Sequence, residues 1–224
     1  MLIDRRQFLG RVVAAAAVVP TPLAGDERAF RTLILTGGSR RIESGFAVGL
    51  NEARRTGDLL GVDWTKAIGA GSGSAVKISA LPLPKGAAAT VYSVRAAAGT
   101  KASVLQAWQR RNPDEAAGVA VEWHPDLQKF GGEQLNARLA AAGQQPDSDM
   151  WAGWMAVKIV AEAVARHGGG PVNASTLLGF AFDGHKGTPL RFDAATRHLR
   201  QPLCIVSREG HLLATIDPDE GGDS

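Results

Sequence analysis

The sequence predicts an α/β fold: a mainly parallel sheet with flanking helices, closed by a small C-terminal antiparallel β appendage. Three observations lead there. Short apolar strand-like runs alternate with helical patterns over most of the chain. The segment Ser148 to His167 is apolar around most of its circumference, which places a helix at the centre of the core. The tail then breaks into "GFAFDG", "PLRFD", "LCIVS" and "HLLATI", separated by Gly, Pro and Asp turns.

Each element has a local reason. "RTLILTGGS" (Arg31 to Ser39) reads as a buried strand ending in a glycine turn. A helix follows, because Ile42, Phe46, Leu50 and Ala53 recur on one face of a 3.6-residue period while Arg40, Arg41, Asn51, Arg54 and Arg55 lie off it. Ser39 suits its N-cap and Gly57 its end. "AVKISALPL" (Ala75 to Leu83) alternates like a strand until proline stops it, and "TVYSVRA" (Thr90 to Ala96) is another strand.

Thr100 to Arg111 is helical, with Val104, Leu105 and Trp108 on one side and Asn112-Pro113 as the stop. "AAGVAVEW" makes a strand, and Asp126 to Ala142 a helix. In Ser148 to His167 a ridge of Lys158, Glu162 and Arg166 lies beside one of Trp151, Met155 and Ile159. Trp154, Val157, Val160 and Val164 fill much of the rest. A short helix is expected around Ser175 to Leu178.

Composition narrows the function. With 224 residues, 45% hydrophobic and 21% charged, the chain can bury a real core. Much of the net charge of +3 comes from Arg5, Arg6 and Arg11; without them and Asp4 the body stands near +1. Nucleic-acid binding needs a concentrated cationic face, and no long Lys/Arg run supplies one. Cys204 is the one cysteine, which excludes an intrachain disulfide and a Cys-based zinc site. Its apolar surroundings read as a small buried hydrophobe.

The N-terminus reads as an address. "MLIDRRQFLGRVVAAAAVVPTPLAG" has a basic start, an apolar run too short to span a bilayer as a helix, and then small residues and prolines. "RRQFL" is similar to the twin-arginine export motif, with Asp4 where Ser or Thr is usual and Gly10 where Lys is common. The expectation is an export signal over residues 1–25, processing near Ala24 or Gly25, and a soluble periplasmic body over residues 26–224.

Chemical motifs are sparse. "GAGSGSA" (Gly69 to Ala75) invites a dinucleotide reading, but Ser74 stands at the third glycine and a strand follows where the pyrophosphate needs a helix. There is no G-x-S-x-G, P-loop, H-E-x-x-H or EF-hand loop. The expectation is no cofactor, no metal and no catalytic residue. Of the five histidines, His167 ends a helix, and His185, His198 and His211 fall in polar turns or strand starts. His124 stands with Glu122 and Asp126, three metal-capable groups within five residues, in "WHPDLQKFGGEQLNARL". Three readings stay open there: a strand-to-helix junction, a ligand-cleft wall, or a metal or catalytic site. Trp123 sits at the strand end, the rim where open α/β sheets bind ligands, and either stacks on a ligand or plugs the core.

Three stretches together resemble a family: "TGGSRRIESGFAVGLNEARRTGDLLG", "DSDMWAGWMAVKIVAEAVARHGG" and "GFAFDGHKGTPLRFDAATRHLRQPLCIVSREGHLLAT". They are similar to the first strand, loop and helix, the helix after the hinge crossing, and the closing pattern of the type I periplasmic solute-binding proteins. That is the branched-chain amino-acid-binding group serving ABC importers, and the likeness covers half to two-thirds of the chain. Trp151 and Trp154 depart from the family pattern, and the middle is short. "WHPDLQKFGGEQLNARL" is most similar to a branch found beside quinoprotein alcohol-oxidation systems.

The resemblance implies an abbreviated periplasmic-binding-protein-like fold that takes a small polar or amphipathic, amino-acid-like ligand and does no chemistry. It implies closure of a cleft around that ligand and an ABC permease as partner. Candidate ligand contacts are Thr36, Gly38 and Ser39 at the end of the first strand, and Trp123, His124 and Asp126 at a later one. The alternative is a non-transport accessory protein of a periplasmic alcohol-oxidation system, with a dehydrogenase as partner.

Overall fold

The computed structural model describes residues 33–35, 39–60, 76–167 and 172–218. In chain order the elements are β1 (Leu33–Leu35), α1 (Arg40–Leu60), β2 (Lys77–Ser79), β3 (Val91–Ser93), α2 (Ala98–Arg111) and β4 (Ala117–Val121). A 3-10 turn (Lys129–Gly131) leads into α3 (Gly132–Ala140). Then come α4 (Ser148–Arg166), α5 (Ala174–Gly179), β5 (Phe182–Asp183), β6 (Pro189–Phe192), β7 (Leu199–Arg200), β8 (Leu203–Ser207) and β9 (Leu212–Ile216). The export segment, Thr36, Gly38, Trp64 and "GAGSGSA" lie outside the described residues.

Among the described residues the strands form three sheets of three strands each, ordered β1-β2-β3, β4-β8-β9 and β5-β6-β7. Only the first is parallel; Ile34 pairs with Ile78 and Ile78 with Tyr92. The other two are antiparallel. A mainly parallel sheet with a C-terminal appendage is therefore corrected in one respect. The strand at 117–121 does not extend the parallel sheet but pairs antiparallel with β8, with Val121 opposite Cys204. Its apolar run fits either partner, and the tail supplies an antiparallel one.

Helix α4 is the centre of the core. Asp147 caps it, accepting from the backbone N–H groups of Asp149 and Met150. Trp151, Trp154, Met155, Ile159 and Val160 are all buried. The Lys158, Glu162 and Arg166 ridge closes as two ion pairs, at 2.5 and 2.8 Å.

Helix α1 lies along α4, and the contact is closer than the large apolar residues suggest. Ile42 and Ala53 are buried, whereas Phe46 and Leu50 are only partly so. Gly45 and Gly49 complete the buried face. A Cβ on Gly45 would overlap the Met150 carbonyl, and one on Gly153 the Ile42 carbonyl, so the two backbones touch where these glycines stand. Ser39 accepts from the Ile42 backbone N–H at 3.2 Å, as an N-cap should. The helix runs past Gly57 to Leu60.

On the outer face of β4 and β8, α2 packs Val104 and Trp108 against Ala120, Leu203 and Ile205. The expected helix over 126–142 begins only at Gly132. Phe130 and Gly131 are left-handed, with φ of 57° and 81°, and break the chain direction first. Among the described residues no helix is long and apolar enough to cross a membrane.

Candidate functional site

Of the expected contacts, Trp123 and His124 line a surface cleft of about 550 Å³; Ser39 and Asp126 are not among its lining residues. One wall is the start of α1 and the turn into α4: Arg41, Gln145, Asp147, Ser148 and Asp149. The other is β4, β8 and the β8–β9 turn: Val119, Val121, Val206 and Gly210, with Trp123 and His124 at the corner. The period of two along β4 explains the second wall. Val119, Val121 and Trp123 face the cleft, while Ala120 turns to the α2 layer.

The polar rim is already organised. Arg41 pairs with Asp147 at 2.9 Å and donates to the Gln145 carbonyl at 3.0 Å. Ser39 Oγ donates to Asp149 Oδ2 at 2.9 Å, which brings this residue to the edge of the cleft. Asp149 also pairs with Arg95. Burial pushes the Asp149 carboxyl up, but the bonds from Arg95 and Ser39 outweigh it and hold the group below the usual carboxylate range.

His124 spends both ring nitrogens on main chain. Nε2 donates to the Gly210 carbonyl at 2.9 Å, and Nδ1 accepts from the Asp126 backbone N–H at 3.2 Å. That pattern fixes the tautomer and ties the end of β4 to the β8–β9 turn. Asp126, with 65% of its side chain exposed, stands 3.6 Å from His124 at the periphery. Trp123 is only 1% exposed. Its indole stacks on Trp151 at 6.2 Å between centroids, and Nε1 donates to Asn136 at 2.8 Å. Of the two roles open to it, the ring is part of the core beneath the cleft.

Beneath the cleft lies a buried charge cluster. Glu122, 1% exposed, pairs with Lys101 at 2.6 Å and Arg95 at 3.4 Å, and accepts from the Ala96 N–H at 3.3 Å. Burial raises its carboxyl, yet Lys101 and Arg95 pull it below the ordinary value. Arg95 also donates to the carbonyls of Ala80 and Ser148, at 2.9 and 3.0 Å. Lys186 donates to the carbonyls of Glu122 and Pro202 and to Gln201 Oε1, and its ammonium lies 4.3 Å from the Trp151 ring centroid. Burial lowers Lys186 to about 8, with the neighbouring Cys204 and Glu122 pulling the other way.

Sequence reading found Glu122 as a metal-capable neighbour of His124, but the fold turns it inward to cations. Among the described residues no three His, Cys, Asp or Glu side chains gather around a point. Arg95, Lys186 and Gln201 were missed. The available signal was a charge inside the apolar runs "TVYSVRA" and "GVAVEW". His185, expected in the open, is half-buried instead, stacked on Trp154 at 5.6 Å. Cys204 is buried at 1%, its thiol pushed up by burial.

No family model matches the chain, and no curated protein matches it. Among solved structures it is similar to an ABC transporter substrate-binding protein from Sphaerobacter thermophilus, at 13% identity and a TM-score of 0.37. That match covers 64% of this chain and 45% of the other. It is also similar to a solute-binding protein of an ABC transporter from Rhodopseudomonas palustris BisB5, in complex with 3,4-dihydroxybenzoic acid. There the identity is 13%, the TM-score 0.38, and the coverage 80% and 65%. The chain thus spans less than two-thirds of the length of either.

Proposed function

We propose that this chain is an exported, shortened solute-binding protein of the type I periplasmic kind, which holds a small molecule without transforming it. The observation that supports this best is the make-up of the cleft at Trp123. An apolar floor of Val119, Val121 and Val206 is rimmed by cationic Arg41 and anionic Asp147 and Asp149, carried on four different segments. A small polar or amphipathic molecule with charge of both signs, such as an amino acid, matches such a rim.

Ser39, Trp123, His124 and Asp126 are proposed as its surroundings, and Thr36 and Gly38, which lie outside the described residues, are proposed with them. Catalysis finds little to work with here. The Ser148 hydroxyl is engaged with the Trp123 main chain, and His124 faces carbonyl and amide rather than a nucleophile. In this reading the body is periplasmic and delivers its ligand to an ABC permease.

A second reading has its own support. The rim charges are already paired, Arg41 with Asp147 and Asp149 with the buried Arg95, and Val119 at the outer end of the floor is 50% exposed. Both features suit contact with another protein as well as with a solute. The non-transport accessory role, beside an alcohol-oxidation system, rests on them.

A thermal-shift panel of amino acids, short alcohols, aldehydes and metal ions tests the choice. Solute binding predicts that one small-molecule class raises the transition, because free ligand at a hundred times Kd adds about 2.7 kcal/mol. A flat response to the whole panel at millimolar concentration contradicts it and leaves the accessory role.

A further inference from the structure

The three sheets meet at one point, and that point is charged, buried and fully bonded. The strand-end segment after β3 brings Val94, Arg95 and Ala96. Beyond β4 comes Glu122, the β5–β6 turn gives Lys186, and the β7–β8 junction gives Gln201 and Pro202. Gln201 Nε2 donates to the Val94 carbonyl at 2.7 Å while its Oε1 accepts from Lys186 at 2.6 Å. Lys186 continues to the Glu122 carbonyl, and the Glu122 carboxylate returns to Arg95 and the Ala96 N–H. Arg95 then reaches Ser148 and Asp149 at the start of α4. Glu122, Lys186, Gln201 and Arg95 are 1%, 3%, 2% and 6% exposed.

The same line is reinforced by apolar contact. Trp123, from the antiparallel side of the cleft, stacks on Trp151 of α4, and both indoles are buried. Ser148 Oγ accepts from the Trp123 N–H at 2.9 Å and lies 3.2 Å from the Trp123 carbonyl. A hinge between the two walls of the cleft would have to run through this line. Swinging it open would expose two tryptophans and part the buried Arg95 guanidinium from one of the two carboxylates it bridges, Glu122 or Asp149.

We propose that Arg95 and Glu122 are positioning residues that pin the two walls together, so that the cleft is pre-formed and the protein takes its ligand without closing around it. This builds on the cleft as the ligand site, but its test needs no ligand. The family resemblance implies the opposite behaviour, closure on binding, and the buried pin is what separates the two.

The test is the distribution of distances between the walls, measured by pulsed electron spin resonance on the full chain. Spin labels go at Arg54→Cys on α1 and Arg208→Cys in the β8–β9 turn, both exposed and neither among the residues that line the cleft; Cys204 is buried and stays unlabelled. The pinned cleft predicts one narrow distribution. Glu122→Gln and the milder Asp149→Asn, which preserve shape and remove one charge, should broaden it about twofold or add a second population. Two populations in the parent chain overturn the proposal, as does a folded variant whose distribution stays narrow. If Glu122→Gln fails to fold, Asp149→Asn and the parent chain decide. Adding L-leucine, or whichever solute the thermal panel selects, should leave the parent distribution in place. A ligand-induced displacement of several ångströms also overturns it, whereas a silent thermal panel bears on the binding reading alone.

Discussion

Lys186 shows how the core sets its own pH response. Its ammonium is removed from water, which lowers it from 10.5 to about 8, yet three oxygens and the Trp151 face keep it charged at neutral pH. A lysine whose value falls on folding binds fewer protons when folded than unfolded between about 8 and 10.5. Stability from this group therefore rises with pH across that window and is lost as pH falls through 8. Glu122 and Asp149 work at the other end. Their lowered values give stability that is present above the unfolded values of 4.5 and 3.8 and lost as pH falls through the folded ones. A titration of lysine side chains by NMR should find one with a midpoint near 8 that disappears in Lys186→Met. A full set at ordinary values contradicts this account of the cluster.

At the scale of elements, what the sequence makes legible is what carries periodicity. The apolar wrap of α4 announces its central place, and the strand at 117–121 shows itself by composition. The α1–α4 contact hides because glycines make it. Hydrophobic patterning points to Phe46 and Leu50, but the backbones touch at Gly45, Gly49 and Gly153, which have no side chain to register. The late start of α3 hides likewise, since nothing in a phenylalanine announces the left-handed backbone that Phe130 adopts.

Two substitutions separate the glycine roles. Gly153→Ala drives a Cβ into the Ile42 carbonyl and should destabilise by about 1–3 kcal/mol or more. Gly99→Ala, in open space on α2, should be neutral or stabilise by about 0.5–1 kcal/mol. Urea midpoints for both variants check this, and equal shifts contradict the close-packing account.

Across the whole molecule, three small sheets share one helical core and one charged junction, with the cleft above it. Three short sheets give little independent stability, so the junction and α4 together hold the walls of the site. The sequence offered Ser39, Trp123 and His124 as contacts of one cleft through the family resemblance, at strand ends that are readable from turn chemistry. It did not reveal that Trp123 and His124 would be engaged by the fold, since Asn136, Gly210 and Trp151 reach them only through tertiary structure.

The central claim is that a guest sits unchanged between the start of α4 and β4. The most direct measurement is an amide NMR titration with the best solute from the thermal panel, watching protein and ligand signals together. The account predicts shifts clustered at Arg41, Val121, His124, Ser148 and Asp149, with the ligand spectrum intact over hours. Shifts gathered elsewhere on the surface, or the growth of product signals, would contradict it.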